Sequence, residues 1–85
     1  MSFNLDVRKA DDVVIMDFKG RFTIGEPVET VRREVQRQLE GGARKFIFNL
    51  RDLDFLDSSA LGALVSAHTI IRNKNGEVKM LLRGS

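Results

Sequence analysis

The apolar periodicity of this chain changes between strand and helix patterns at short intervals, and this alternation restricts the fold more than any other feature. Residues 3–8 alternate apolar with polar, which is typical of a half-buried strand. Residues 13–18 are nearly all apolar, and residues 9–12 between the two runs have the composition of a turn. The pattern therefore predicts an N-terminal hairpin, with a more deeply buried second strand that ends at Gly20.

Two longer segments have the period of a helix. Residues 28–39 place Val28, Val31, Val35 and Leu39 on one stripe, between Pro27, where a helix prefers its first residue, and the closing pair 41–42. Residues 58–73 predict a second helix, whose alanines imply close packing on a sheet. Leu61, Leu64, Val65, His68 and Ile71 lie along one side of this helix, with Ala60, Ala63, Ala67 and Ile70 beside them.

Two further short apolar runs, residues 45–50 and 78–82, are predicted strands, and residues 73–76 are the turn before the last one. The order β-β-α-β-α-β predicts an α/β fold, a mixed sheet with helices packed on it and parallel pairing between the later strands. With 85 residues, 42% hydrophobic and 31% charged, the chain is expected to form one globular domain, and without cysteine it has no disulfide.

The predicted elements leave one face or edge of the sheet without a cover. Two explanations stay open at this point. Either a second copy covers it, as a homodimer or a domain swap, or the chain is C-terminally shortened by nature or by truncation.

The most informative segment is residues 55–62, in which Asp57, Ser58 and Ser59 open the second helix. One interpretation is capping, because an Asp or Ser oxygen accepts hydrogen bonds from the free amides of the first turn. A second is an anion site, since those amides and the helix dipole favour negative charge. A seryl hydroxyl placed here is also open to modification.

Residues 49–62, NLRDLDFLDSSALG, resemble the signature of the bacterial anti-sigma factor antagonists, which belong to the STAS-domain family. The resemblance implies the STAS fold for essentially the whole chain. Family members usually continue with a helix, a strand and a final helix, which are absent here. We therefore expect residues 1–85 to be a single STAS-like domain that is shortened at its C-terminus.

The resemblance also implies a function. Ser58 matches the family's phosphorylation site, and the partner-binding loop would comprise Asp57, Ser58, Ser59, Ala60 and Gly62. In the family, the unphosphorylated protein binds an anti-sigma factor that is also a serine kinase using Mg-ATP, and this binding frees a sigma factor. Phosphorylation breaks the complex and a PP2C-type phosphatase restores it, so this chain needs no cofactor of its own.

A further partner surface would include Arg21 and Thr23, where relatives often read Gly-x-Leu-Asp. Thr23 lacks the acid that is often found at this position. The expected location is the cytoplasm, because the chain has no signal peptide and no apolar run near the roughly 20 residues that span a bilayer.

Catalysis is not expected. His68 is the single histidine and lies ten residues from Ser58 on the same predicted helix, or about 15 Å away. Ser58 therefore has no base within hydrogen-bond reach. Asp52, Asp54 and Asp57 alternate, but no later Glu completes a calcium loop, and no metal site is predicted.

Two other functions stay open. One is a scaffold of the same fold in a stress-signalling assembly, which would form large particles with its own kind rather than bind a kinase one-to-one. The weaker one is a nucleic-acid-binding module that uses Arg32, Arg33, Arg37 and Arg44. The net charge is only +2 and acids lie among the bases, so no direct nucleic-acid or membrane partner is expected.

Overall fold

The computed structural model describes residues 2–84; Met1 and Ser85, the ends of the predicted domain, lie outside the described residues. The prediction of the element order β-β-α-β-α-β is confirmed. The elements are β1 (Phe3–Ala10), β2 (Val13–Phe22), α1 (Glu26–Glu40), β3 (Lys45–Leu56), α2 (Ser58–Asn73) and β4 (Glu77–Leu81).

The four strands form one mixed sheet in the order β1-β2-β3-β4. β1 and β2 pair antiparallel as a hairpin, while β2 with β3 and β3 with β4 pair parallel. Parallel neighbours need a long crossover, and α1 and α2 are those crossovers. Both the predicted hairpin and the predicted parallel pairing are therefore confirmed.

The core lies between the sheet and the two helices. Its centre is aromatic, with the ring centroids of Phe18 and Phe48 at 5.4 Å and those of Phe18 and Phe22 also at 5.4 Å. The stripe predicted for α1 is correct, because Val31, Val35 and Leu39 are all buried. The core comprises Val14, Met16, Phe18, Phe22, Val31, Val35, Leu39, Phe46, Phe48, Leu50, Ala60, Leu64, Ala67 and Ile71.

β2 and β3 are longer than the sequence predicted. β2 continues past Gly20 to Phe22, and β3 continues past Leu50 to Leu56, where a loop was expected. Irregularities in the register at two points let the two strands stay paired to their ends, where Phe22 faces Leu56. Gly20 has φ +91°, and a side chain there would overlap the carbonyl oxygen of Ser2, so glycine is required in the strand.

The close packing predicted for the alanines of α2 is confirmed. Ala60 and Ala67 are buried together with Leu64 and Ile71, whereas Leu61 and Val65 are 52% and 59% exposed. His68 is exposed as well. The helix turns its alanines inward because they allow its backbone to lie close to the sheet and to α1.

The face of the sheet opposite the helices carries a polar network. Asp17, on β2, accepts hydrogen bonds from Arg8 Nε and from Asn49 Nδ2, both at 2.8 Å. The Arg8 hydrogen bond is the largest cause that holds the pKa of Asp17 below its ordinary value. Burial opposes this shift, and the Asn49 hydrogen bond adds to it. The Asp17 side chain is only 13% exposed, so its negative charge is largely shielded from water and is paired with Arg8.

Candidate partner-binding site at the start of α2

Asp57 joins the start of α2 to the end of β2. One carboxylate oxygen accepts the backbone N–H of Ala60 at 2.8 Å, which caps the helix. The other accepts the backbone N–H of Ile24 at 3.0 Å. The backbone N–H of Asp57 donates to the carbonyl oxygen of Phe22 at 3.3 Å. The loop after β2 and the first turn of α2 are therefore held together by one residue.

These hydrogen bonds also fix the charge of Asp57. The backbone N–H of Ile24, followed by those of Ala60 and Ser59, lowers the pKa of the Asp57 carboxyl below its ordinary value. Hydrogen bonds to an ionised carboxylate favour the ionised form. The side chain is thus an anion whose oxygens are both used internally.

Ser58 and Ser59 are exposed on the first turn of α2. The capping interpretation is confirmed for Asp57, which leaves the Ser58 hydroxyl available at the surface. The side chain of Ala60 is fully buried, so it anchors this turn in the core. Gly62 is exposed, and a Cβ placed there would meet no atom within 4 Å.

The parallel pairing of β2 with β3 brings the two other predicted residues to the same end of the molecule. Arg21 lies opposite Phe55 in the sheet, with its guanidinium carbon 4.2 Å from the ring centroid. Thr23 is half-buried, directly before the residue that donates to Asp57. All seven predicted site residues therefore lie near the carboxyl ends of β2 and β3.

Sequence reasoning missed the apolar part of this site. Ile24 is 69% exposed, Phe55 42% and Leu56 39%, and Leu61 is exposed one turn into α2. In the sequence, Ile24 lies in a predicted loop, Phe55 and Leu56 resemble the end of a strand, and Leu61 lies on one side of a predicted helix. The available signal was their position next to Asp57, because side chains at the ends of parallel strands border a shared surface.

The arginines of α1, together with Arg44 in the turn that follows it, do not form a free basic patch. Arg32 pairs with Glu29 at 3.8 Å and Arg37 with Glu34 at 2.9 Å. Arg33 lies 3.5 Å from Glu26, and Arg44 donates to the carbonyl oxygens of residues 39 and 43. This supports the interpretation of the helix face as a solvated surface of paired charges.

Two further features of residues 2–84 bear on other functions. No helix in this range is long and apolar enough to cross a membrane. The same residues contain no group of three or more His, Asp or Glu side chains placed to hold a metal ion.

Comparison with known proteins identifies the family. A profile of the STAS domain matches residues 4–82, nearly the whole chain. The chain therefore belongs to the STAS domain family, as its signature segment predicted.

Solved structures show the same fold. The phosphorylated form of SpoIIAA, a Bacillus cell fate determinant, is 25% identical with a TM-score of 0.76, and the match covers 99% of this chain and 74% of that one. SpoIIAA in its unphosphorylated form, described as an anti-sigma factor antagonist, is 21% identical with a TM-score of 0.76. That match covers 93% of this chain and 71% of SpoIIAA. An antagonist STAS domain from Rhodobacter sphaeroides is 16% identical with a TM-score of 0.70, over 93% and 85%.

The fold also occurs as a small part of a larger protein. A structure of Mglu matches with a TM-score of 0.79 at 20% identity, but the chain spans only 18% of its length. SpoIIAA, whose fold this chain shares, is described as an anti-sigma factor antagonist. STAS domains of this kind are regulatory domains rather than enzymes.

Proposed function

We propose that this protein is a phosphorylation-switched anti-sigma factor antagonist. In the unphosphorylated state it binds an anti-sigma factor that is also a serine kinase, so that the sigma factor is released. The kinase transfers the γ-phosphoryl group of Mg-ATP to the Ser58 oxygen, the hydroxyl proton is lost, and ADP leaves. A PP2C-type phosphatase hydrolyses the phosphoserine and restores binding.

The observation that carries this proposal is the exposed Ser58 hydroxyl on a fixed turn, next to exposed apolar side chains. Asp57 uses both of its oxygens to hold the turn, so the loop is ordered before a partner arrives. Ile24, Phe55 and Leu61 supply apolar area that a partner would bury beside the hydroxyl. The resemblance to a protein solved in phosphorylated and unphosphorylated forms supports the same assignment.

The switch would act by local charge rather than by refolding. A phosphate on Ser58 adds about −1.5 to −2 charge at neutral pH. The N-terminus of α2 tolerates this charge, because the helix dipole favours an anion there. Asp57 is already ionised, so a partner surface that fits a neutral hydroxyl would meet a strongly acidic patch.

Intact mass spectrometry tests the modification. The chain is incubated with Mg-ATP and an anti-sigma-type serine kinase from the same genome, in parallel with Ser58→Ala and Ser59→Ala. We expect a single added phosphate in the wild type and in Ser59→Ala, and none in Ser58→Ala. Phosphate that persists in Ser58→Ala, or no phosphate with any candidate kinase, would contradict the proposal.

A further inference from the structure

The turn between α2 and β4 contains an asparagine that is followed by a glycine. Residues 73–76 read Asn-Lys-Asn-Gly, at the end of α2 and directly before β4. An Asn-Gly pair is chemically labile, because the glycine nitrogen can attack the side-chain carbonyl carbon of the asparagine and no side chain on glycine hinders its approach. The other asparagines precede leucine or lysine: Asn4, Asn49 and Asn73.

The helix ends in a turn that gives Asn75 an unusual backbone conformation. Asn75 has φ +67°, in the left-handed region that asparagine adopts more readily than most residues. Its backbone N–H donates to the carbonyl oxygen of Arg72 at 3.0 Å, and the N–H of Gly76 donates to that of Ile71 at 2.9 Å. These two hydrogen bonds form a Schellman motif, which satisfies the last carbonyl groups of a helix.

The same motif holds the nitrogen that would attack Asn75. That nitrogen belongs to Gly76, and its hydrogen is bonded to Ile71. The next amide, of Glu77, donates to the carbonyl oxygen of Arg44 at 2.8 Å, so the peptide groups on both sides of Gly76 are fixed. Attack requires the Gly76 nitrogen to lose its proton and to approach the side chain, so it requires the turn to open.

We propose that Asn75 is a deamidation site whose reaction the folded domain suppresses and whose isoaspartyl product the fold does not accommodate. This goes beyond the proposed function and does not depend on it. When the turn is open, the Gly76 nitrogen forms a bond to Cγ of Asn75. The side-chain NH2 group leaves with the Gly76 amide proton as ammonia, and a cyclic succinimide remains. Water then opens the ring at either carbonyl group and gives aspartate or isoaspartate.

The two products differ in their effect on the turn. Aspartate keeps the length of the main chain, and it tolerates the left-handed region as asparagine does. Isoaspartate inserts a methylene group into the main chain between residues 75 and 76, which moves the N–H groups of Gly76 and Glu77 away from their acceptors.

The packing around Gly76 leaves little room for the extra length. A Cβ placed there would lie 2.6 Å from the carbonyl oxygen of Arg44 and 2.8 Å from Cγ2 of Ile71. A longer main chain at this point has to push against the same atoms. We therefore expect the isoaspartyl chain to lose the hydrogen bonds that connect α2 to β4.

The first experiment measures the reaction at each asparagine. The chain is kept folded in buffer or unfolded in guanidinium chloride, at the same mildly alkaline pH and temperature. Peptide mapping by mass spectrometry then quantifies asparagine, aspartate and isoaspartate. We expect Asn75 to react about tenfold or more slowly in the folded chain, because the reaction waits for local opening of the turn. In the unfolded chain it should react faster than the internal controls Asn4, Asn49 and Asn73.

The second experiment tests the product, with Asn75→Gly as the matched control. Glycine lacks the reactive amide and adopts φ +67° without a side-chain penalty, so this variant should fold. Both chains are aged in guanidinium chloride, refolded by dilution and exposed briefly to a protease, which cleaves chains that open. We expect isoaspartate at residue 75 to be depleted among the surviving wild-type chains, while aspartate at that position survives. Aged Asn75→Gly should survive as well as the fresh variant.

Three results would overturn the proposal. The first is an equal rate of deamidation at Asn75 in the folded and the unfolded chain, which would show that the turn gives no protection. The second is a faster reaction at another asparagine in the unfolded chain. The third is isoaspartate at residue 75 that is as abundant in the protease-resistant chains as in all aged chains, which would show that the fold accommodates it.

Discussion

At the residue scale, Asp57 does the most to define the candidate site, because it binds backbone groups of two different elements. Asn has nearly the same shape as Asp. It lacks the charged carboxylate whose two oxygens accept the backbone N–H groups of Ile24 and Ala60. We expect Asp57→Asn to unfold at lower urea concentration than the wild type at neutral pH. Circular dichroism of urea titrations measures this difference.

The pH dependence of that difference follows from the pKa of Asp57. The pKa is lowered in the folded state, chiefly by the Ile24 amide, so the ionised carboxylate stabilises the folded chain. This stabilisation is fully present above the unfolded-state pKa of about 3.9 and is lost as the pH falls through the folded-state value. The wild type and Asp57→Asn should therefore converge in acid. If the difference in free energy of unfolding between the wild type and Asp57→Asn stayed constant from neutral pH into acid, this would contradict the account.

The fold does not require a glycine at residue 62. It has no positive φ, lies inside α2, and a Cβ there would meet open space. Gly62→Ala should therefore raise the free energy of unfolding by about 1 kcal/mol, because alanine favours a helix interior. Under the proposed function the same variant should bind the kinase more weakly, since the added methyl lies on the partner surface.

Gly76→Ala is the matched control for Gly62→Ala. A Cβ at Gly76 would lie 2.6 Å from the carbonyl oxygen of Arg44 and 2.8 Å from Cγ2 of Ile71. Overpacking of this kind costs about 1–3 kcal/mol, so this variant should be less stable than the wild type. If Gly62→Ala and Gly76→Ala changed the free energy of unfolding equally in urea titrations, this would contradict the open surroundings of Gly62.

At the scale of elements, the buried aromatic side chains of the sheet stabilise the fold, while the candidate site lies at the ends of β2 and β3. Phe18 is fully buried on β2, and Phe55 is 42% exposed at the end of β3. Phe18→Ala should cost about 3–5 kcal/mol, a large part of the stability of a small domain. Phe55→Ala should cost about 1 kcal/mol or less, mainly its contact with Arg21. Urea unfolding of both variants compares them, and similar losses would contradict this division.

The elements also show where sequence reasoning succeeds and where it stops. The order of strands and helices was predictable, because the periods of β1, α1 and β3 are distinct along the chain. The end of β3 was not, because Asp52 and Asp54 resemble a loop, whereas tertiary contacts keep the segment extended. These are the pairing with β2 and the hydrogen bonds that the Arg83 guanidinium donates to the carbonyl oxygens of Arg51 and Leu53. The alanines of α2 indicated its close packing on the sheet, but the sequence did not show which leucines and valines beside them would stay exposed, because this depends on the position of the helix over the sheet.

At the scale of the whole molecule, the signature segment locates the candidate site in the sequence but does not give the side chains that surround it. Asp57 and Ser58 could be identified from the motif that opens α2. The contribution of Ile24 could not, because it depends on the 33-residue separation that the parallel pairing of β2 and β3 closes. The exposed apolar surroundings of Ser58 are likewise a property of the tertiary structure.

The central claim is that phosphorylation of Ser58 switches partner binding without unfolding the chain. The most direct measurement is calorimetric titration of the cognate anti-sigma kinase with the chain before and after phosphorylation, with Ser58→Asp and Ser58→Ala alongside. We predict that the unphosphorylated chain and Ser58→Ala bind, whereas the phosphorylated chain and Ser58→Asp lose binding and keep the circular dichroism of the folded domain. Equal affinity of the phosphorylated and unphosphorylated chains would contradict the account.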